Sequence, residues 1–248
     1  MLRRSLVFLD QLFLVVLFLL LGVSWGVGCY FASQFPGGED RAHRYLIRWA
    51  RISIRLARLK VTVARLERLD LGRPYVFMPN HTSFLDILLV LASIPHNFRF
   101  LVKEEFFSIP LLGLTVRSSG QIPLDRKNPR KGLRSIRQGA DLIKKGVSIV
   151  VFPEGTRSRD GKVGEFKTTL FVLPIRMETP VVPVLIEGAY EALPRDSVFL
   201  KRCPIKITFL DPISPALLVD KDRALYAEKV RQSLIRPCHE PKMAANIG

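Results

Sequence analysis

Tyr75-Val76-Phe77-Met78-Pro79-Asn80-His81-Thr82-Ser83-Phe84-Leu85-Asp86 is the stretch on which the reading of this chain turns. Its opening residues are apolar, aromatic or β-branched and predict a strand over Tyr75–Met78. Thr82 or Ser83 is suited to cap a following helix over Phe84–Ser93. His81 then stands at a strand-to-helix turn, with Asp86 one turn inside the helix. From there the carboxylate can hold one imidazole nitrogen and leave the other as a directed general base. By itself the spacing is weak. Four His and eleven Asp in 248 residues supply roughly 0.2 such pairs by chance, and a satisfied structural histidine is the competing reading. Asn80-His81-Thr82 also spells a glycosylation sequon, but nothing else in the sequence indicates export.

Outward from this turn the pattern repeats. Short strands are predicted at Val61–Ala64, Phe98–Val102, Gly120–Leu124, Ser148–Phe152, Val181–Ile186 and Ile205–Leu210. Helices are predicted at Arg130–Lys145, Lys167–Met177 and Lys221–Ile235. Alternation of this kind implies an α/β domain, a single mixed sheet flanked by helices, with its active groups in loops at strand ends. No repeat or linker interrupts it after residue 40, so residues 61–248 form one domain behind an N-terminal appendage, residues 1–60.

Three further loops carry chemistry. Gly120-Gln121-Ile122-Pro123-Leu124-Asp125-Arg126 puts an arginine just past a strand. The run Ser148–Phe152 delivers Pro153-Glu154-Gly155-Thr156-Arg157-Ser158, in which Gly155 can adopt positive φ and expose backbone N–H groups. Arg157 offers a planar fork for phosphate, although either arginine taken alone is more often a solvated surface charge. Val182-Pro183-Val184 ends a buried strand and reads either as pocket wall or as plain core.

Composition narrows the partners. Lys+Arg 38 against Asp+Glu 22 leaves a net charge of +16, so the chain should seek nucleic acid, anionic lipid or phosphorylated substrates. A mean hydropathy of +0.19 in so basic a chain points to lipid before nucleic acid. Cys29, Cys203 and Cys238 are far apart and odd in number, which disfavours a disulfide framework and a zinc site and makes a reducing cytosolic face the default. Leu12–Ala32 has Ser24 as its one polar side chain apart from Cys29, Trp25 and Tyr30, and as a helix it reaches about 31 Å, one hydrocarbon thickness. Arg3 and Arg4 before it resemble a signal peptide, but the one lipoprotein-like site, Gly28-Cys29, has Gly26 where a branched aliphatic residue belongs. A buried core helix would be unusually apolar on all sides. A membrane anchor is the better reading, either spanning the bilayer or dipping into one leaflet. Arginines at 41, 44, 48, 51, 55 and 58 then draw one stripe on a helix whose other side carries Leu46, Trp49, Ala50, Ile54, Leu56 and Ala57. After an apolar helix this reads as an interfacial helix on an anionic surface; an ordinary surface helix is the plainer alternative.

Taken together the four blocks resemble the glycerolipid acyltransferase family, most closely its bacterial 1-acyl-sn-glycerol-3-phosphate acyltransferases. The resemblance covers about residues 61–215 and preserves block order, with Lys103-Glu104, Pro110 and Gly113 also where that family carries them. It departs at Thr169, Pro174 and Pro123, positions that bear on the acceptor pocket. It implies His81 and Asp86 as catalytic residues, with Lys103, Arg126, Glu154, Gly155, Thr156 and Arg157 binding substrate. Glu154 would bind glycerol hydroxyls or order Arg157. It also implies no metal and no cofactor, a lysophospholipid acceptor, acyl-CoA or an acyl carrier protein as donor, and a place on the cytosolic face of the inner (plasma) membrane. Two further readings are another lysolipid acceptor and a non-catalytic membrane scaffold. A nucleic-acid binder is disfavoured by the apolar anchor and the lack of a binding motif.

Overall fold

In a computed structural model of the 248-residue chain, residues 2–125, 128–217, 222–236 and 244–246 are described. Two helices lead, α1 (Leu2–Ser33) and α2 (Gly38–Leu56), followed by β1 (Val61–Ala64), β2 (Val76–Pro79), α3 (Leu85–Ser93) and β3 (Phe98–Lys103). Then come α4 (Leu112–Ser118), β4 (Ile122–Leu124), α5 (Pro129–Lys144), β5 (Ser148–Val150), α6 (Val172–Arg176) and β6 (Val181–Glu187). The chain continues through α7 (Ala189–Ala192), β7 (Ile205–Phe209), α8 (Arg223–Ile235) and β8 (Ala244–Asn246). The strands form one mixed sheet in the order β4-β3-β5-β2-β6-β7-β1-β8. The five strands from β4 to β6 are mutually parallel; β7 is antiparallel to β6 and parallel to β1, and β8 closes the edge antiparallel to β1.

Successive side chains of a strand face opposite sides, so a parallel sheet needs a helix layer on each. Phe77 packs with Val150, Val182, α3 and the α2 residues Ala42, Leu46, Ala50 and Ile54. Val76 and Met78 point the other way, toward Ile143 of α5, Leu173 of α6 and Tyr226 and Val230 of α8. The core thus continues across residue 60 into α2.

Three predicted elements differ from those observed. Lys167–Met177 is a 3₁₀ turn over Thr168–Phe171 followed by the short α6, because Pro174 lacks an N–H and its ring bars a helix that starts further back. Gly120 and Gln121 precede β4, and Val151 and Phe152 follow β5, with Gly120 turning at φ 65°. The helix α4 and the edge strand β8 are not evident from the sequence pattern.

α1 and α2 form an antiparallel hairpin. The Trp25 indole donates to the Tyr45 carbonyl at 2.9 Å, and the Phe18 and Trp49 rings lie 5.3 Å apart. The far end of α1 is tied to the domain as well. Gln11 exchanges two hydrogen bonds with the Leu200 backbone, and Arg202 bridges to Asp10 at 2.9 and 3.1 Å. Between these ties the helix stays bare. Leu9–Ser33 has a mean hydropathy of 2.5, with Phe13, Leu19, Leu20 and Phe31 each about 60% exposed. It is the one described helix long and apolar enough to cross a membrane.

Candidate active site

Parallel strands bring their carboxyl ends to one edge, and that edge collects the predicted loops. β2 stops at Pro79. The Asn80 side chain then imitates one more strand residue, donating to the Ile186 carbonyl at 3.0 Å and accepting from its N–H at 2.7 Å. The backbone is thereby released to turn at His81. Asn80 is missed as a site residue by the sequence reading, although an amide side chain at a strand's end is the signal for such a splice.

His81 is held on three sides. Its N–H donates to Glu154 Oε1 at 2.9 Å, and its carbonyl accepts from the Ser158 N–H at 2.7 Å. Its ring stacks on Phe152 with centroids 4.0 Å apart. Nδ1 meets Asp86 Oδ2 at 2.8 Å, and the same oxygen accepts the N–H groups of Thr82 at 2.7 Å and Ser83 at 2.8 Å. An ionised carboxylate only accepts, so the proton sits on Nδ1 and the Nε2 lone pair points outward. The His81 side chain retains 14% of its exposure and Asp86 none.

The predicted cap works differently from expectation. The residue before α3 is Phe84, whose own side chain makes no cap; the N–H groups of Thr82 and Ser83 go to Asp86, and only that of Leu85 is taken by the Ser83 hydroxyl. Ser83 is fully buried, its hydroxyl donating to the Leu193 carbonyl at 2.7 Å and accepting from the Leu85 N–H at 3.1 Å.

The third loop grips the first. Glu154 is 7% exposed, and its second oxygen accepts from the Gly164 N–H at 3.2 Å, so the side chain ties His81 to the chain ten residues on. Burial pushes its pKa up to about 7 against the pull of these two donors. Gly155 takes φ 78°, and its N–H closes a turn onto the Phe152 carbonyl at 3.1 Å. The N–H groups of Thr156 and Arg157 make no hydrogen bond among the described residues. The Arg157 guanidinium lies 4.7 Å from the centre of the Phe84 ring and donates to the Arg195 carbonyl, while Arg195 donates back to the Arg157 carbonyl. Neither Glu154 nor any other described carboxylate pairs with Arg157.

Lys103 ends β3 on the same edge, paired with Glu105 at 3.0 Å and half exposed. Strands lie ~4.8 Å apart, so the ends of β3 and β4 stand ~10 and ~14 Å from that of β2. Arg126 lies outside the described residues. Asp125 before it meets Lys131, which also bridges to Glu104 at 2.9 Å. Val182-Pro183-Val184 is buried in β6, directly beside Phe77-Met78-Pro79 of β2. Among the described residues no three His, Cys, Asp or Glu side chains gather into a metal site.

A family model described as Acyltransferase matches residues 60–187. The chain is 34% identical over 206 residues to the 1-acyl-sn-glycerol-3-phosphate acyltransferase BAT2, chloroplastic, of Brassica napus, covering 81% of this chain and 59% of the relative. It is 31% identical over 167 residues to the Saccharomyces cerevisiae 1-acyl-sn-glycerol-3-phosphate acyltransferase, covering 66% of this chain and 55% of the relative. The chain thus spans about half the length of the curated relatives it matches. The crystal structure of the 1-acyl-sn-glycerophosphate (LPA) acyltransferase PlsC from Thermotoga maritima shares the fold, with a TM-score of 0.75 over 97% of this chain and 99% of that one, at 24% identity. With its matched segment running from β1 through the His81 turn and the Glu154 loop to the end of β6, the chain belongs to the acyltransferase family.

Proposed function

We propose that this chain is a 1-acyl-sn-glycerol-3-phosphate acyltransferase, moving an acyl group from a thioester to the sn-2 hydroxyl of lysophosphatidate to give phosphatidate and a free thiol. The observation that carries the reading is the His81 Nδ1–Asp86 Oδ2 contact at 2.8 Å, with Asp86 fixed by two backbone N–H groups. Nε2 of His81 removes the hydroxyl proton as the oxygen attacks the thioester carbonyl; general-base action of this kind supplies ~10²–10⁴-fold. The C–O bond forms, the C–S bond breaks, and the proton passes from the imidazolium to the leaving thiolate. The amides of Thr156 and Arg157 are the candidates to receive the oxyanion, since that of Gly155 is already spent. Arg157, Lys103 and Arg126 grip the acceptor phosphate, with Arg157 held flat by Phe84. Glu154 acts on the loops, and through them on His81. Transfer is direct, because the hydroxyl of Ser83 is buried and engaged.

No cofactor takes part in this scheme beyond the acyl thioester, which acts as cosubstrate. The bare apolar side of α1 supports membrane binding. The tie of Gln11 to Leu200 of the domain and that of Trp25 to α2 favour a helix lying in one leaflet, at the cytosolic face, over one that spans. The test is thiol release by purified protein with acyl donor and lysophosphatidate, compared with other lysolipids and with no acceptor. Release that depends on lysophosphatidate supports the reading; equal or faster release with another lysolipid overturns the acceptor, and no acceptor-dependent release overturns the reading as a whole.

A further inference from the structure

We infer, on the reading of this edge as the site of acyl transfer to lysophosphatidate, that the loop between α7 and β7 is a second membrane contact. Val198 and Phe199 enter the leaflet beside α1, and Arg195 carries that contact to the phosphate-binding Arg157. Val198 is 71% exposed and Phe199 52%, whereas Leu193, Leu200 and Cys203 of the same loop pack against the core. The apolar side chains thus divide, three turned inward and two outward. The loop is closed at its neck, where the Lys201 N–H donates to the Ala192 carbonyl at 2.8 Å, and the Phe199 N–H donates to Ser197 Oγ at 3.0 Å. Its own hydrogen bonds shape the tip, so the fold does not require Val198 and Phe199 to be apolar.

What adjoins the tip identifies what covers it. Leu200, next to Phe199, exchanges two hydrogen bonds with Gln11, and Arg202 pairs with Asp10. The tip is thereby fastened to the end of α1 that carries Leu9, Leu12 and Phe13, all exposed. Its apolar surface continues that of α1, and a leaflet that takes the bare side of the helix meets Val198 and Phe199 with no change of fold. Charge agrees: Lys201 is exposed beside Arg202, and Asp196 is the one acid of the loop.

The other end of the loop enters the site. The Leu193 carbonyl accepts the Ser83 hydroxyl, and the Arg195 guanidinium donates to the Arg157 carbonyl at 3.0 Å. The N–H of that same peptide unit, contributed by Ser158, donates to the His81 carbonyl at 2.7 Å. One peptide is therefore pinned between Arg195 and the His81 turn, while the Arg157 guanidinium donates to the Arg195 carbonyl at 3.2 Å. A leaflet that steadies Val198 and Phe199 steadies Arg195 and holds Arg157 ready for the phosphate, so less ordering is left to be done when substrate binds. Arg195 is a positioning residue: it acts through Arg157.

The experiment measures thiol release from a saturating acyl donor with short-chain, water-soluble lysophosphatidate, with and without vesicles of phosphatidylcholine and phosphatidylglycerol. It compares the parent with Val198→Ser/Phe199→Ser, Arg195→Met and Arg195→Lys, with vesicles in excess so that α1 keeps every protein bound, as sedimentation verifies. Expected for the parent is a lysophosphatidate KM lowered at least threefold by vesicles, with kcat unchanged. The Val198→Ser/Phe199→Ser protein should need about tenfold more lipid for half-maximal binding and, once bound, show no KM response. Arg195→Met should bind vesicles within twofold of the parent and also lack the response, and Arg195→Lys, which keeps a donor, should recover part of it. A parent KM indifferent to vesicles, or a response that survives in the double variant or in Arg195→Met, overturns the inference. So does a double variant that binds vesicles as tightly as the parent, which would leave the tip to a protein partner. A parent that turns over no lysophosphatidate overturns the acyltransferase reading instead, while sedimentation without substrate still decides the membrane contact.

Discussion

Replacing Asp86 by Asn isolates the charge of the proposed catalytic pair from its geometry. Oδ2 accepts three donors, from His81 Nδ1, Thr82 and Ser83, whereas Oδ1 is buried with no partner among the described residues. The amide of Asn therefore turns its oxygen to the three donors and its nitrogen into the empty position. The imidazole keeps its tautomer and orientation, and only the negative charge is lost. That charge matters when His81 becomes an imidazolium in the transition state. At ~4 Å between charge centres and an effective dielectric constant of ~20, the attraction is ~4 kcal/mol. Its loss corresponds to a fall in kcat of about 10³-fold, with the KM values little changed. Thiol release at saturating substrates measures it, with circular dichroism to verify folding. His81→Ala in the same assay should abolish turnover, because no other group at the edge is set to remove the proton. An Asp86→Asn enzyme within fivefold of the parent, or a folded His81→Ala enzyme that still turns over, would refute the base assignment.

Glu154→Ala strands two N–H donors at ~1–3 kcal/mol each, so a lower Tm together with a lower kcat is expected by calorimetry and thiol release. Because burial raises the Glu154 pKa from 4.5 to about 7, the folded state holds its proton more tightly; this contribution to stability is full below pH 4.5 and disappears as pH rises through 7. Glu154→Gln should flatten the stability slope between those values, and an unchanged slope would contradict the shift. Arg157→Ala or Arg126→Ala should raise the lysophosphatidate KM roughly 10- to 150-fold, from the ~1.5–3 kcal/mol of a charge-assisted contact, and leave the donor KM alone. Neutralising Arg44, Arg48, Arg51 and Arg55, all exposed on α2, should weaken sedimentation with anionic vesicles and flatten its salt dependence while α1 retains affinity for neutral ones. Enzyme mixed with radiolabelled acyl thioester but no acceptor should give neither a burst of thiol nor a denaturation-stable label; a stoichiometric burst abolished by Ser83→Ala would make Ser83 a nucleophile after all.

The chain by itself determined the alternation of strands and helices and the block at His81, because both are local. A strand of four apolar residues, a turn and a helix lie within twenty positions, and His81 and Asp86 are five residues apart across the turn into α3, Asp86 standing in the first turn of the helix and not one turn inside it. The same holds for α1 and for the arginine stripe of α2 from Arg41 to Arg55, whose exposure on one side follows from helical spacing; α2 ends at Leu56, itself exposed, so Arg58 stands outside the helix with φ 55°. What the tertiary structure decided depends on pairs far apart in sequence. Glu154 meets the His81 backbone across 73 residues, and burial there gives it a tethering place that its motif position does not reveal. Asn80 reaches Ile186 across 106 residues, and Ser83 is removed from the chemistry by the carbonyl of Leu193, 110 residues on. The break at Pro174 and the Phe84 support for Arg157 likewise follow from packing. Local pattern sets which residues can turn, cap or face the core; only the closed sheet sets which backbone donors are left without partners, and those donors decide how the carboxylates at this edge are used.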